Sequence, residues 1–273
     1  MSAAAAARAH VITGGFPPGQ PAGHDHDYAR LRLLGFLAEQ DIPASTSNDY
    51  VDVERWLPIS RLLITYVAGP YPAPDQDRAI RSWIAAGGKW LGLHGTTGGR
   101  AVRVEGEDRR RAMARLEHHE TLGGFFLSHP PVRKFQVKVH SSDDRITDGM
   151  PETFVTIDEP YMVEMSDASA RVLLTAELGP DNSPRGFGFQ YEKDTALLPD
   201  GKTRVMGYTR DVGAGGVTYI ALGHAHTPST NSQPFVDTSV DPEGKTPAIL
   251  RTTWETEAYA TLLRNGIEWG MGG

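Results

Sequence analysis

The first 95 residues alternate between short apolar runs and amphipathic segments, and this alternation limits the fold more than any other feature. The alternation predicts strands at residues 10–13, 42–45, 61–67 and 89–94, with helices at residues 28–39 and 75–86. Residues 61–67 are apolar almost throughout, which is typical of a strand covered on both faces. Strands that alternate with helices predict a parallel sheet with right-handed crossovers.

The second half of the chain predicts additional strands rather than further strand–helix units. We predict a charged helix at residues 107–118 and a Gly- and Pro-rich loop at 122–131. Strands follow at 133–139, 153–157, 161–165 and 171–176, then a hairpin of 205–209 with 217–222 and a closing helix at 256–269. Residues 179–203 and 227–247 are polar loops, long enough to be lids, binding loops or mobile surface. We therefore predict one α/β domain over residues 1–273 with its core at 10–270. Its central sheet is mostly parallel, with added antiparallel strands.

Composition excludes several classes of protein. The chain has 273 residues and no cysteine, which removes disulfides, thiolate nucleophiles, zinc fingers and iron–sulfur clusters. A net charge of −7 argues against a nucleic-acid partner. The start lacks the apolar core of a signal peptide, and the longest apolar run, residues 62–69, is far shorter than the roughly 20 residues that span a bilayer. We expect a cytoplasmic protein with no membrane partner; a periplasmic protein would also lack free cysteines, and a homo-oligomer stays open.

Polar residues follow the predicted strands at the positions where parallel sheets bind ligands. His24 comes after the first strand, Tyr71 after the third, His94 and Thr96 after the fourth, and His224 after the last. Because the carboxyl ends of parallel strands meet at one edge of the sheet, we expect these side chains to converge there. Ten histidines in the chain make acid–base or metal chemistry the leading interpretation.

Each histidine motif also has a structural interpretation. His24 and His26 fit a solvated turn in which Asp27 caps the next helix. His224 and His226 would face the same side of a strand, as a metal-binding pair does, but no third ligand follows at a fixed spacing. The remaining candidates are expected at a helix end, where a cation favours the dipole, or on the surface: His118, His119 and His140.

The segment around His94 has the layout of a nucleophile elbow, with histidine where the nucleophile would stand. A histidine held there suits general-base work or metal ligation better than covalent catalysis. The Gly-rich run that follows is no phosphate loop, because no Gly-Lys-Ser/Thr comes after it, and we expect no nucleotide cofactor.

A set of short motifs occurs in order along nearly the whole chain. They are LGLHG at 91–95, LGGFF at 122–126, HP at 129–130, RITDGMP at 145–151, DEPY at 158–161, YTR at 208–210, LGH at 222–224 and LLRNGIEW at 262–269. Together they resemble the ThuA-like (trehalose utilisation) family.

This resemblance implies a flavodoxin-like three-layer sandwich related to class I glutamine amidotransferases. His94 stands where those enzymes have their cysteine, so glutamine amidotransferase activity is not expected. The resemblance also implies carbohydrate metabolism, with 3-keto-disaccharides or related oxidised sugars as substrates. The family's polar positions match His24, His94, His129, Asp158-Glu159 and His224. The two long polar loops depart from the family pattern, which suggests a substrate other than a trehalose derivative.

Our functional prediction is an enzyme that acts on a keto-sugar or glycoside by histidine-assisted hydrolysis, elimination or isomerisation. The alternative is a non-catalytic sugar-binding or regulatory protein on the same fold. The convergence of ionisable histidines favours the enzyme, since a binder has little need of them. The predicted catalytic residues are His94 as base, Glu159 as orienting group or acid, and Arg210 as the donor to an oxyanion.

The remaining site predictions concern binding. A divalent zinc, manganese or iron ion would take His94, His129 and His224 as ligands, together with a carboxylate. In the structural alternative, Glu159 pairs with Arg210 and His129 makes a core hydrogen bond. The predicted substrate-binding residues are His24, Tyr71, Thr96, His129 and Tyr161.

Overall fold

The computed structural model describes residues 8–105, 111–140, 144–184 and 186–272. Its first strands and helices alternate as the sequence predicts, with one short helix, Val53–Trp56, that was not predicted: β1 Ala9–Gly15, α1 His26–Glu39, β2 Ala44–Ser47, α2 Val53–Trp56, β3 Leu62–Ala68, α3 Pro74–Ala85 and β4 Lys89–Leu93. The later elements are β5 Arg100–Arg103, β6 Arg111–Ala114, α4 His118–Leu122, β7 Gly124–Ser128, β8 Arg133–Val139, β9 Thr153–Asp158, β10 Met162–Met165, β11 Arg171–Glu177, β12 Thr203–Val212, β13 Gly215–Ile220 and α5 Glu257–Met271.

Nine of these strands form one sheet in the order β2-β1-β3-β4-β13-β12-β11-β8-β9. The first five run parallel to one another, in the 2-1-3-4-5 order of flavodoxin-like folds, with β13 as the fifth strand. The hairpin of β12 with β13 then reverses direction, and β11, β8 and β9 continue the sheet antiparallel. The predicted α/β fold, mostly parallel at one end and antiparallel at the other, is confirmed.

Alternate residues of the central strands feed two hydrophobic cores, one on each face of the sheet. In β3, Leu62 and Ile64 join the core under α1 and α5, whereas Leu63 joins the core under α2 and α3. This two-sided burial explains the nearly continuous apolar sequence of the strand. Within the described ranges, no helix is both long and apolar enough to cross a bilayer.

Two predicted elements are wrong. Residues 107–110 of the predicted charged helix lie outside the described residues, but Arg111–Ala114 form β6, which pairs with β5. Helix-favouring side chains were overridden there by strand pairing. The predicted loop at 122–131 contains β7, which pairs with β10; the neighbouring glycine and proline residues concealed a buried strand, Gly124–Ser128.

Candidate functional site

Four polar side chains meet at the carboxyl edge of the parallel strands. His24 lies in the connection between β1 and α1, His94 directly after β4, His224 after β13 and Glu159 after β9. Each offers one ligand atom, and the four atoms lie within 4.8 Å of one another. Glu159 Oε2 is 3.1 Å from His94 Nε2, 3.2 Å from His224 Nδ1 and 3.7 Å from His24 Nε2. The sequence predicts this edge of the sheet as the site, and all four side chains are buried there.

The backbone turns sharply at His94. Its φ of +44° is a left-handed conformation that residues other than glycine rarely adopt. The turn is fixed by Tyr219, whose hydroxyl donates to the His94 carbonyl (2.7 Å), and by Gly95, which packs so closely on Val67 that a Cβ would lie 2.3 Å from its carbonyl oxygen. Backbone strain of this kind persists only where the surroundings enforce it. It aims the ring of His94 at Glu159.

Hydrogen bonds to carbonyl oxygens fix which ring nitrogen of His24 and His94 carries the proton. Carbonyl oxygens only accept, so His94 Nδ1–H donates to Ala221 (2.7 Å) and His24 Nδ1–H donates to Ala22 (2.9 Å). The Nε2 atoms of both rings therefore present lone pairs to Glu159. His24 Nε2 is buried and has no hydrogen-bond partner among the described residues.

His224 is oriented through a second histidine. His226 Nε2–H donates to the Pro247 carbonyl (2.9 Å), which leaves His226 Nδ1 to accept from His224 Nε2–H (2.9 Å). His224 Nδ1 thus also turns a lone pair toward Glu159, and burial lowers the pKa of His224 to about 3, which keeps the ring neutral. Neutral imidazoles whose far nitrogen is held by a hydrogen bond are the usual form of metal-ligating histidines.

Glu159 is held by its neighbour Asp158. The Asp158 carboxylate accepts from the backbone N–H groups of Gly223 (2.7 Å) and His224 (2.9 Å), and from the Thr253 hydroxyl (2.5 Å). These bonds join the end of β9 to the end of β13, although the two strands lie far apart in the sheet. Burial by itself raises the pKa of Glu159, and positive charge among the surrounding histidines lowers it well below its usual range. Because these rings present lone pairs to Glu159, that positive charge would be a bound cation, beside which Glu159 is a carboxylate.

The second oxygen of Glu159 faces a different pair of side chains. The Gln233 amide Nε2 donates to Oε1, and His129 Nε2 lies 3.7 Å from the same oxygen. His129 Nδ1–H donates to the Pro130 carbonyl (2.9 Å), so its Nε2 also presents a lone pair to the carboxylate. Tyr161 stacks between His94 and His129, with ring centroids 4.1 and 5.8 Å away.

This arrangement fits a divalent cation. Three imidazole lone pairs and one carboxylate oxygen point at one another in a buried space, which is unfavourable unless a positive charge lies between them. Zinc, manganese and iron accept such mixed nitrogen and oxygen ligands. The donor set differs from the predicted one, because His24 occupies the place assigned to His129. The sequence places His24 after the first strand and His129 in a predicted loop, and it does not show which oxygen of Glu159 each ring faces.

Arg210 does not reach the site, which corrects its predicted catalytic role and its predicted ion pair with Glu159. Arg210 on β12 lies opposite Val217 on β13, and Val217 lies opposite Trp90 near the start of β4. Trp90 is about 13 Å along the strand from His94, so Arg210 lies near the other end of the strands. Its guanidinium donates to the Glu120 carbonyl (2.7 Å) and pairs with Asp167 (2.7 Å). The sequence correctly places Arg210 near the end of a strand. Because β12 runs antiparallel to β13, however, that end lies at the opposite edge of the sheet from His94.

Tyr71 and Thr96, predicted to bind substrate, instead support the turn at His94. The Tyr71 hydroxyl donates to the Gly95 carbonyl (3.1 Å), and the Thr96 hydroxyl donates to the Leu93 carbonyl (2.8 Å). Thr96 is fully buried. Their position after the strands is as expected, but their polar atoms are already engaged with the backbone.

Four structural interpretations of histidine motifs also change. His24 and His26 are buried rather than solvated, and Asp25, not Asp27, caps α1 by accepting from the Tyr28 N–H (3.2 Å). His118 and His119 lie at the start of α4 rather than at the end of a helix, and both are buried. His140 is half-buried, with its Nε2 2.7 Å from the Thr175 hydroxyl, which is compatible with its predicted surface position.

The roles of two residues at the site, His226 and Gln233, were not predicted from the sequence. His226 was visible in the His-x-His pair, but its role as the orienting partner of His224 was not. Gln233 carries no signal in sequence, since it is one polar residue in a long polar loop. A contact between a loop residue and a strand exit 74 positions away has no periodic signature.

Comparisons with known proteins agree with this architecture. A ThuA-like protein from Bacteroides uniformis superimposes with a TM-score of 0.62 at 14% identity, over 99% of this chain and 94% of that one. A ThuA-like protein from Parabacteroides merdae gives 0.58 at 14% identity, over 97% and 90%. A β-galactosidase from Rahnella sp. R3 gives 0.54 at 12% identity, over 88% of this chain and 32% of that one. These likenesses show the glutamine amidotransferase-like fold.

Sequence comparison gives the family. None of the curated proteins matches the chain. The family model described as "Trehalose utilisation" (ThuA) matches residues 35–238, which is most of the sequence and includes His94, His129, Glu159 and His224. The chain therefore belongs to the ThuA, or trehalose utilisation, family.

Proposed function

We propose that this protein is an enzyme of carbohydrate metabolism that acts on a keto-sugar or glycoside with the help of one divalent metal ion. Zinc, manganese or iron would be held by His24, His94, His224 and Glu159. The observation that carries the proposal is the convergence of three imidazole nitrogens on Glu159 Oε2, with the opposite nitrogen of each ring held by a hydrogen bond. Family membership supports a small-molecule carbohydrate ligand.

The chain's own residues supply the rest of the chemistry. When bound, the metal would polarise a carbonyl oxygen or lower the pKa of a bound water. His129 can take a proton at Nε2, and it is the most exposed histidine of the site, with 14% of its side chain accessible against 11% for His24. A proton on carbon next to a carbonyl is acidic enough for an imidazole base. Glu159 orients both sides of the site, because its two oxygens face His94 and His129 respectively.

The experiment is a turnover assay on 3-keto-glycosides after loading the protein with zinc, manganese or iron. We expect turnover by the unmodified protein and a loss of at least about 100-fold in His94→Ala and His224→Ala, since each removes one metal ligand. Arg210→Ala is the control and keeps its activity, because Arg210 lies at the other end of the strands. Sugar binding without turnover across the panel would instead support the non-catalytic sugar-binding alternative.

A further inference from the structure

Glu159 divides the site into two sides. Its Oε2 faces the three metal-ligating histidines, whereas its Oε1 faces His129 and Gln233. On the Oε2 side, His94 and His224 are fully buried and His24 keeps 11% of its side chain exposed. On the Oε1 side, His129 keeps 14% exposed, the largest exposure of the four histidines. We therefore place the approach of a substrate on the side of His129 and Gln233.

Gln233 is held in place by a long strap, which we define as residues 227–250. The strap is closed at its base by two backbone hydrogen bonds between His226 and Leu250, of 2.9 and 3.0 Å. The Gln233 N–H donates to the Asn231 side chain (2.8 Å), and the Thr246 hydroxyl donates to the Gln233 carbonyl (3.1 Å). The position of residue 233 over Glu159 is thus fixed from both sides of the strap.

The amide of Gln233 has only one orientation compatible with its neighbour. A carboxylate only accepts hydrogen bonds, so Nε2 must face Glu159 and Oε1 must point elsewhere. Gln233 Oε1 is buried with no hydrogen-bond partner among the described residues, and the whole residue is only 7% exposed. Covalent geometry places this oxygen about 2.2 Å from Nε2, at the edge of the site. A buried acceptor without a donor is costly, which makes it a prepared contact for a ligand hydroxyl.

Aromatic rings lie on the same side. Phe187 meets the ring of His129 edge-on at 5.7 Å, and Phe235, two residues after Gln233, lies 5.1 Å from Phe187. An aromatic surface beside a few fixed polar groups is the usual composition of a small-molecule site. Here the polar groups are one base, His129, and one fixed acceptor, Gln233.

We propose that Gln233 is a substrate-binding residue whose Oε1 accepts a hydrogen bond from the hydroxyl next to the substrate carbonyl. A 3-keto-glycoside, the substrate of the proposed function, carries such a hydroxyl on each carbon that flanks its ketone. Nε2 of the Gln233 amide donates to Glu159 Oε1 and so keeps Glu159 Oε2 directed at the three histidines. This inference rests on the proposed function, because it needs a keto-sugar in the site.

The test compares binding of methyl 3-keto-α-D-glucopyranoside with binding of its 2-deoxy and 4-deoxy analogues by calorimetry. Each analogue lacks one of the two hydroxyls that flank the ketone. We expect the metal-loaded protein to bind one of the two analogues at least about tenfold more weakly than the parent sugar. In Gln233→Met, which keeps the length but removes the acceptor, that difference falls to about twofold or less. Gln20→Met is the matched control, since Gln20 is exposed, and keeps the full difference.

The outcomes separate this inference from the proposed function. Equal binding of all three sugars by the unmodified protein, or an undiminished difference in Gln233→Met, would overturn the role of Gln233 while leaving the metal site and turnover intact. Failure of the unmodified protein to bind or turn over any of the sugars would overturn both. If Gln233→Met does not fold, Gln233→Asn, which withdraws the amide by one methylene, is expected to show the same loss of discrimination. Metal content is measured in every variant, and sugar binding is compared at saturating metal, because Gln233→Met also removes the Nε2–H donor that orients Glu159.

Discussion

Two groups of buried histidines lie close to the same strand exit and differ in what their rings face. At the carboxyl edge, His24, His94 and His224 direct lone pairs at one carboxylate oxygen. At the start of α4, His119 instead satisfies both ring nitrogens with the backbone: Nδ1 accepts from the Leu116 N–H (2.8 Å) and Nε2–H donates to the Gly98 carbonyl (2.9 Å).

Burial does not distinguish the two groups. Burial lowers the pKa of His119 in the second group, just as it lowers that of His224 in the first. What distinguishes them is direction: the unbonded nitrogens of the first group converge on a carboxylate, whereas the unbonded ring nitrogens of His118, beside His119, have no carboxylate partner among the described residues. A candidate metal site is therefore identified by the hydrogen bonds behind each ring rather than by the number of histidines in a region.

Among the variants that test this difference between the two groups, His226→Phe is expected to have the largest effect, a loss of metal affinity. The substitution keeps the ring volume but removes the atom that accepts from His224 Nε2–H, so His224 is free to take the wrong tautomer. Loss of such an orienting partner typically lowers metal affinity by about 10- to 100-fold. Competition with a chelator measures this affinity, and a value equal to that of the unmodified protein would contradict the role of His226.

The same substitution in the other group, His119→Phe, provides the matched comparison. It leaves the Gly98 carbonyl and the Leu116 N–H without their partners, and we expect the free energy of unfolding to fall by roughly 1–3 kcal/mol. Urea denaturation measures the change. Metal affinity is expected to stay the same, so a chelator titration that shifted as far as that of His226→Phe would remove the distinction between the two groups.

The smallest effect concerns pH and a third buried histidine. His10 stacks on Trp56 (5.4 Å), and burial lowers its pKa to about 4, with Asp52 acting in the opposite sense and Arg8 in the same sense. In the unfolded chain His10 takes up a proton with a pKa of about 6.5, whereas in the folded protein it does so only near pH 4. The free energy of unfolding therefore falls as the pH drops from about 6.5 to 4.

This contribution amounts to at most about 1.4 kcal/mol per pH unit. His10→Gln is expected to lose less stability than the unmodified protein between pH 6.5 and 5, as measured by urea denaturation at each pH. An identical loss in both proteins would show that His10 does not contribute to the acid sensitivity.

The sequence predicts the fold well because its signals are local. Alternating strands and helices give the parallel half, and strand exits locate His94 and His224 at one edge. The misses depend on distant pairing: Arg111–Ala114 became a strand because β5 lies beside it, and Arg210 left the site because β12 runs antiparallel. Ring direction and the contact of Gln233 with Glu159 arise only when the long loops close over the sheet, so no spacing in the sequence encodes them.

The central claim is that His24, His94, His224 and Glu159 hold one divalent metal ion. Elemental analysis of the purified protein, after incubation with zinc, manganese and iron salts and extensive dialysis, tests it most directly. We predict about one equivalent of one of these metals per chain, and less than a tenth of that in Glu159→Ala and in His94→Ala, while His119→Phe retains the full amount. Absence of bound metal from the unmodified protein, or the same metal content in all of these variants, would contradict the account.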